Sequence, residues 1–486
     1  MTKTTAHGAL DINEAFRSGG RSPEFLDQIN KACIVMLREA GIVPRTHAAR
    51  IAAGIAKVID DARASGVPQR SADYLDYEPR LIAAVGADAS RLHSGRSRQD
   101  IASTIARMNL RDGLTQEIDA LIIARQKLLA LAGQHIETII PAYTHGVQAQ
   151  PTTFAHYLHA LAAALARETQ RLCEAYQRIN RSPLGAAALA TSSFPIDRTR
   201  LAVLLGFEGL LENAYDANHL APVDSALDVA SALSIAAVQI GQFAQDLHTQ
   251  YADPSPWFLL ATGELTGVSS IMPQKRNPAA LEQLRAQSSI LLGEMHTVFL
   301  ISHNNRTGMF DYRMYDPVPC ARPLQVFKLL QQVADGLVVN KERALVEVKA
   351  DYSTTTEIAD ALMQKADVPF RIGHHFASKL TDYGRGNGIK LHDIPYAEAA
   401  RIYYEQTQQA LPLSEVVFRD VISPEYMVFG RKGIGGPQIG EVQRMLAAER
   451  ANLNADAAWL NNSTAHLMQA ETTLEHAFTE LAGHAP

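Results

Sequence analysis

Apolar residues recur along this chain with the spacing of one helix face. Leu281, Leu284, Leu291 and Met295 fit such a stripe, and Ala, Leu, Gln and Glu fill the positions between them. Runs that alternate as strands do are scarce, so the predicted fold is all-α. The segment from Ser225 to Leu247 is long for one globular helix, and its apolar residues wrap most of its circumference. Such a helix is expected to be buried on several sides, at the centre of a bundle or at a subunit interface. Gly/Pro punctuation at 18–23, 182–185 and 433–437 marks loops, with no low-complexity linker between modules. The expected division is an N-terminal domain over 1–105, a central helical-bundle domain over 106–355 and a C-terminal helical domain over 356–486.

Composition narrows the class. The 486 residues are 47% hydrophobic and 20% charged, enough apolar surface for a large core. A formal net charge of −6 with interspersed signs offers no basic tract, which argues against nucleic acid as a partner. Cys33, Cys173 and Cys320 are far apart and outside any CxxC spacing, so buried free thiols in a reducing compartment are expected. The first residues lack the continuous apolar stretch of a secretory signal, and the longest apolar runs are broken by Gln, Asp or His. The reading is a cytoplasmic protein without a membrane span.

Three polar stretches interrupt the helical pattern. The first, Leu92 to Asp100, sets two arginines and two hydroxyls about Gly95 just before a helix, an arrangement that suits a carboxylate or phosphate. Its plain structural reading, with Asp100 as helix cap and solvated arginines, carries equal weight on these residues alone. The second, Tyr143 to Pro151, places His145 near a hydroxyl and two amides. A loop histidine is more often a surface or hydrogen-bonded residue, and His156 and His159, with no carboxylate or cysteine partner, read as core histidines. The third, Gly267 to Pro278, is hydroxyl-rich and basic. Asn277 and Pro278 form a good cap and first-turn pair, which leaves Ser269 to Lys275 unexplained.

In order and separation these stretches resemble the signature regions of the aspartase/fumarase superfamily, whose third region reads roughly SSxMPxKxNP. Ser269-Ser270-Ile271-Met272-Pro273-Gln274-Lys275-Arg276-Asn277-Pro278 is a nearly complete match. Gly95-Arg96-Ser97-Arg98, Thr144-His145 with Ala149-Gln150-Pro151, and Phe194-Pro195-Ile196-Asp197-Arg198 favour the argininosuccinate lyase branch. Similarity continues through Asp360 and Val368-Pro369-Phe370-Arg371 to Gly435-Gly436, nearly the whole chain.

The resemblance implies a homotetramer around a central bundle of long helices, each active site built from three subunits, with no metal or organic cofactor. It implies β-elimination of an N-substituted aspartate, releasing fumarate. Ser269 matches the general base, and Lys275 and Asn277 match positions that hold the substrate carboxylate. His145 matches a histidine oriented by a glutamate, here Glu282, and the pair would support protonation of the departing nitrogen. Ser97, Arg98 and Thr144 match positions that bind the fumarate half, and Gln99, Gln148, Ser270, Met272 and Tyr312 complete the expected substrate contacts.

Departures gather where the leaving group would lie. Gln99 and Val147 replace a usual Asn and Gln, Val268 replaces a glycine before the base, and Asn218 to Asp224 replaces an Asp-rich run. The usual Tyr-Asn-Lys-Asp-Leu-Gln stretch is not recognisable in Met309 to Tyr315. A substrate other than argininosuccinate is therefore a serious rival. A catalytically inactive structural paralogue, the alternative of another class, is disfavoured by Ser269, Lys275, Asn277, His145 and Glu282. From the shared-site expectation, mixed tetramers of Ser269→Ala and His145→Asn should regain partial activity; refolded mixtures that form mixed tetramers and stay inactive would count against it.

Overall fold

The computed structural model describes residues 21–65, 70–309 and 321–484. It opens with α1 (Ser22–Glu39), α2 (Arg45–Ala64) and α3 (Tyr74–Val85), followed by the long α4 (Arg98–Gln134). A hairpin of β1 (Ile139–Thr144) and β2 (Val147–Thr153) leads into α5 (Phe154–Ile179), the short α6 (Arg198–Leu204) and α7 (Ala214–His219), and α8 (Ala221–Tyr251). Next come β3 (Phe258–Leu260), β4 (Gly267–Val268), β5 (Arg276–Asn277), α9 (Ala279–Ser302), α10 (Ala321–Gly336) and β6 (Leu337–Val339). The C-terminal part holds α11 (Lys341–Ala350), α12 (Thr356–Ala366), α13 (Phe370–Asn387), α14 (Tyr396–Thr407), α15 (Glu415–Val421), α16 (Pro424–Phe429) and α17 (Ile439–Ala482). The fold is all-α. Among the described residues the strands pair as β1 with β2, β3 with β6 and β4 with β5, each antiparallel.

Helices α4, α5, α8, α9 and α10 pack side by side around one large apolar cluster that includes Leu121, Leu128, Leu158, Leu165, Leu233, Ile240, Leu284 and Leu330. A second cluster joins α1 to α3 with the start of α4 and the end of α17, through residues such as Ile29, Ile55 and Phe478. A third lies within α12 to α15, around Phe376, Tyr403 and Phe418.

Helix α4 is buried on nearly all sides, so its polar residues need internal partners. Arg107 donates to the carbonyls of Arg178, Ile179 and Ala221, and Arg111 to those of Leu205 and Gly206 and to Asn180 Oδ1. Two guanidinium groups thus satisfy orphan carbonyls at the ends of α5 and α6. Burial pulls both arginines down to about 10, still cationic at neutral pH. Arg125, fully buried, donates to Glu449 at 2.8 Å, Asp456 at 2.5 Å and Thr169 at 3.1 Å, fixing α17 and α5 to α4.

Helix α8 spans the segment expected to be buried on several sides. Val229, Leu233, Ala236, Ala237 and Ile240 are buried, but Ile235 and Val238 remain 37% and 44% exposed. The chain alone therefore covers only part of the circumference. By length and composition α8 could cross a membrane; half of its apolar window is buried inside the chain. Cys33 is buried and Cys173 partly so, both free; Cys320 lies outside the described residues.

Replacing Arg125 by Met removes one partner of a buried charge cluster and strands Glu449. Denaturant unfolding should show a loss of about 3–5 kcal/mol; a loss under about 1 kcal/mol would mean that α17 is held by apolar packing alone.

Candidate active site

The first polar stretch forms the N-terminus of α4. Ser97, in extended conformation, is the N-cap: its Oγ accepts from Gln99 N at 3.1 Å, while Asp100 Oδ1 accepts from Ser97 N at 2.8 Å. This capping box corrects the expectation that Asp100 is the cap; Asp100 is its third helical residue, and Ser97 suits the cap because its short hydroxyl reaches the first turn. The other oxygen of Asp100 accepts from Gly185 N at 2.9 Å and Ala187 N at 3.1 Å, tying a second loop to the helix start. Burial pushes this carboxyl up to about 7, with the Ser97, Gly185 and Ala187 N–H groups pulling it down.

Neither arginine of this stretch is a solvated surface residue. Arg96 is buried with its guanidinium 4.5 Å above the Tyr74 ring. Arg98 forks onto Asp73, its Nε 2.9 Å from Oδ1 and its Nη2 against Oδ2. Asp73 also caps α3 through Leu75 N at 3.0 Å, so one carboxylate positions both a helix and the arginine. The Gln99 side chain donates to Asn218 O at 3.0 Å, and the buried Asn218 amide donates to the carbonyls of Ala187 and Ala188. The sequence points to Asn218 only as the start of a run that departs from the family pattern, and not to Asp73. Asp73 is legible as a helix cap, but its partner is 25 positions away.

His145 sits at the tip of the β1–β2 hairpin. His145 and Gly146, at φ +55° and +76°, form the two-residue loop between Thr144 and Val147, the left-handed turn that matches strand twist. Thr144 and His145 are exposed. Gln148, expected to contact substrate, donates its amide to Val348 O and Ser353 Oγ, both at 3.1 Å. His156, read as structural, bridges Thr152 Oγ1 at 2.8 Å and Gly435 O at 2.9 Å.

The third stretch is a second hairpin tip, Ser269 to Lys275, between β4 and β5. Met272 N donates to Ser269 Oγ at 3.1 Å, and Lys275 N to Met272 O at 3.1 Å. Arg276 folds its guanidinium back onto Pro273 O at 2.8 Å and Lys275 O at 3.1 Å. Lys275 and Ser270 are exposed, as is Met272; Val268 and Ile271 are 81% and 82% exposed. Asn277 pairs with Gly267 in the strand, and Pro278 occupies the cap position of α9 with no side-chain cap bond. The expectation that Asn277 caps α9 is thus corrected: strand pairing claims its backbone one residue too early. Glu282 lies exposed in the first turn of α9. Tyr312 lies outside the described residues.

Within one chain these residues do not converge. Ser97 and Arg98 start α4, the His145 hairpin follows its end, and 37 helical residues extend about 55 Å. Helix α8 begins beside α4's start, where Arg107 meets Ala221 O, and ends near the hairpin, where Trp257 stacks edge-on against Phe154. The Ser269 loop follows α8 and lies at that same far end, where Arg285 of α9 donates to Gln245 of α8.

Residues 23–293 match the Lyase family model, and residues 352–428 match the model described as argininosuccinate lyase C-terminal. Argininosuccinate lyase 2 of Agrobacterium fabrum is 32% identical over 94% of this chain and 92% of its own length. Argininosuccinate lyase of Methanosarcina acetivorans is 32% identical over 87% of this chain and 86% of its own. Among solved structures, EDDS lyase in complex with formate matches with a TM-score of 0.87 at 30% identity, covering 98% of this chain and 93% of that one. The helical bundle and its three polar loops define a lyase of the fumarase superfamily. Within it the chain belongs to the argininosuccinate lyase family, whose members are fumarate-forming carbon–nitrogen lyases.

Asp100→Asn keeps the side-chain shape but turns an NH₂ donor toward an N–H donor. Chemical denaturation should show a loss of about 1–3 kcal/mol; unchanged stability would mean that the 185–188 loop holds itself in place.

Proposed function

We propose that Ser269 removes the proton next to a carboxylate of an N-substituted aspartate, and that the amine then leaves as fumarate forms. The observation that carries this reading is the hydrogen bond from Met272 N to Ser269 Oγ, on a loop that also bears Lys275. An N–H aimed at that oxygen, with an ammonium three residues further on, favours the alkoxide over the hydroxyl. Lys275 and Asn277 take the carboxylate on which charge develops, and Ser270 and Met272 border it. His145, oriented by Glu282, supports protonation of the departing nitrogen directly or through water. Ser97, Arg98 and Thr144 hold the fumarate half, and Gln99 faces the leaving-group end. Gln148, anchored to Ser353 Oγ, and Tyr312 complete the proposed substrate contacts.

The catalytic unit is a homotetramer. Supporting this, Arg98 and Ser269 stand at opposite ends of one chain, and apolar residues of α8 and α9 (Ile235, Val238, Ile290, Phe299 and Leu300) are exposed. A cytoplasmic enzyme without a nucleic-acid or membrane partner is the setting we infer.

Argininosuccinate is one candidate substrate. A different N-substituted aspartate is the second reading, favoured by the likeness to EDDS lyase over 98% of the chain and by Val147, 65% exposed beside His145.

Ser269→Ala should lower kcat by about 10²–10⁴-fold or more while leaving fold and oligomer intact; activity within about tenfold of wild type would move the role to Ser270. Argininosuccinate should be cleaved with kcat/KM below about 10⁴ M⁻¹s⁻¹, and another N-substituted aspartate should surpass it. A higher value, with no better substrate across a panel of amines, would establish plain argininosuccinate lyase activity.

A further inference from the structure

Helix α7 sits where the first polar stretch meets the chain leaving α9, and no role for it follows from the chemistry above. Its last residues lie beside Ser97 and Arg98, because Gln99 Nε2 donates to Asn218 O at 3.0 Å. Asn218 is itself locked by its two bonds to the carbonyls of Ala187 and Ala188, so the next residue, His219, is carried on rigid backbone. One turn earlier on the same helix face is Tyr215, its ring centroid 4.7 Å from that of His219. Tyr215 is 42% exposed.

From the other side comes 303–309, the chain that leaves α9. Thr307 Oγ1 is 3.0 Å from the Tyr215 hydroxyl, and a Cβ at Gly308 would lie 3.6 Å from His219 Nδ1. Gly308 adopts φ +88°, which lets the backbone pass this close to the imidazole. Met309 follows at once, 51% exposed. Two aromatic rings, fixed by a helix and by the close approach of Gly308, thus stand next to the residue that Gln99 of α4's first turn holds, on the side where the chain reaches Met309.

We propose that Tyr215 and His219, braced by Thr307, form the subsite for the departing amine and set which amine the enzyme accepts. This rests on the reading that Ser97 and Arg98 hold the fumarate half. The exposed Tyr215 offers a face for stacking with the His219 ring set against it, so the pair discriminates by the substituent on the nitrogen and leaves the dicarboxylate half untouched.

The test uses the full-length oligomer and two N-substituted aspartates that share the aspartate half and differ in the amine. For Tyr215→Leu and His219→Gln, the ratio of their kcat/KM values should change by about tenfold or more, while fumarate inhibition stays within about threefold of wild type. Thr307→Val, which removes the brace without touching either ring, should shift the same ratio in the same direction and guards against a misfolded ring variant. Ratios within about threefold for the variants that assemble normally overturn the proposal. A ratio change matched by an equal loss of fumarate inhibition also overturns it, by making α7 part of the dicarboxylate site. Arg98→Gln is run alongside: unchanged fumarate inhibition there refutes the placement of the fumarate half, a failure separate from that of the amine subsite.

Discussion

The length of α4 is the constraint on which the rest depends. A helix of 37 residues cannot bring its first turn to the hairpin that follows its last, and α8 runs alongside it to the same far end. Ser97 and Arg98 are thereby held apart from the candidate base Ser269 by a rod about 55 Å long. Flexing loops of a few residues cannot close that gap, whereas a second copy packed along the bundle can. The apolar residues left uncovered on α8 and α9 lie along that bundle, and covering them by association would also complete the site.

The rod stays buried because its polar residues are answered from neighbouring elements. Arg107 and Arg111 take the carbonyls at the ends of α5 and α6, and Arg125 takes two carboxylates of α17. At its start the same logic shapes the site: the Ser97–Asp100 capping box sets the first turn, Asp100 fastens the 185–187 backbone, Asn218 fastens 187–188, and Asp73 aims Arg98. Stability and positioning at that end are one network, so a substitution that loosens the cap also loosens the residues meant to meet the substrate.

Much of this is legible in the chain. The 3.6-residue periodicity marks the bundle helices, and the serine, lysine and asparagine of the third stretch are readable from local composition and resemblance. What the chain conceals is long-range or decided by competition. Asp100 looks like a cap until Ser97, three residues earlier, takes that place and leaves Asp100 to reach residues 85 and 87 positions away. Asn277 looks like a cap until pairing with Gly267 draws it into a strand. The hairpin at His145 is hidden because its turn relies on a histidine at positive φ, which periodicity does not reveal. The fork between Asp73 and Arg98 has no local signal at all.

The central claim is that one chain holds only parts of a site and that activity belongs to the assembly. Specific activity measured alongside molar mass, by light scattering across a dilution series or across interface substitutions such as Val238→Asp, tests it most directly. Activity is expected to be lost in step with the oligomer, leaving the folded single chain inert. A folded monomer that retains the full activity per chain would contradict it.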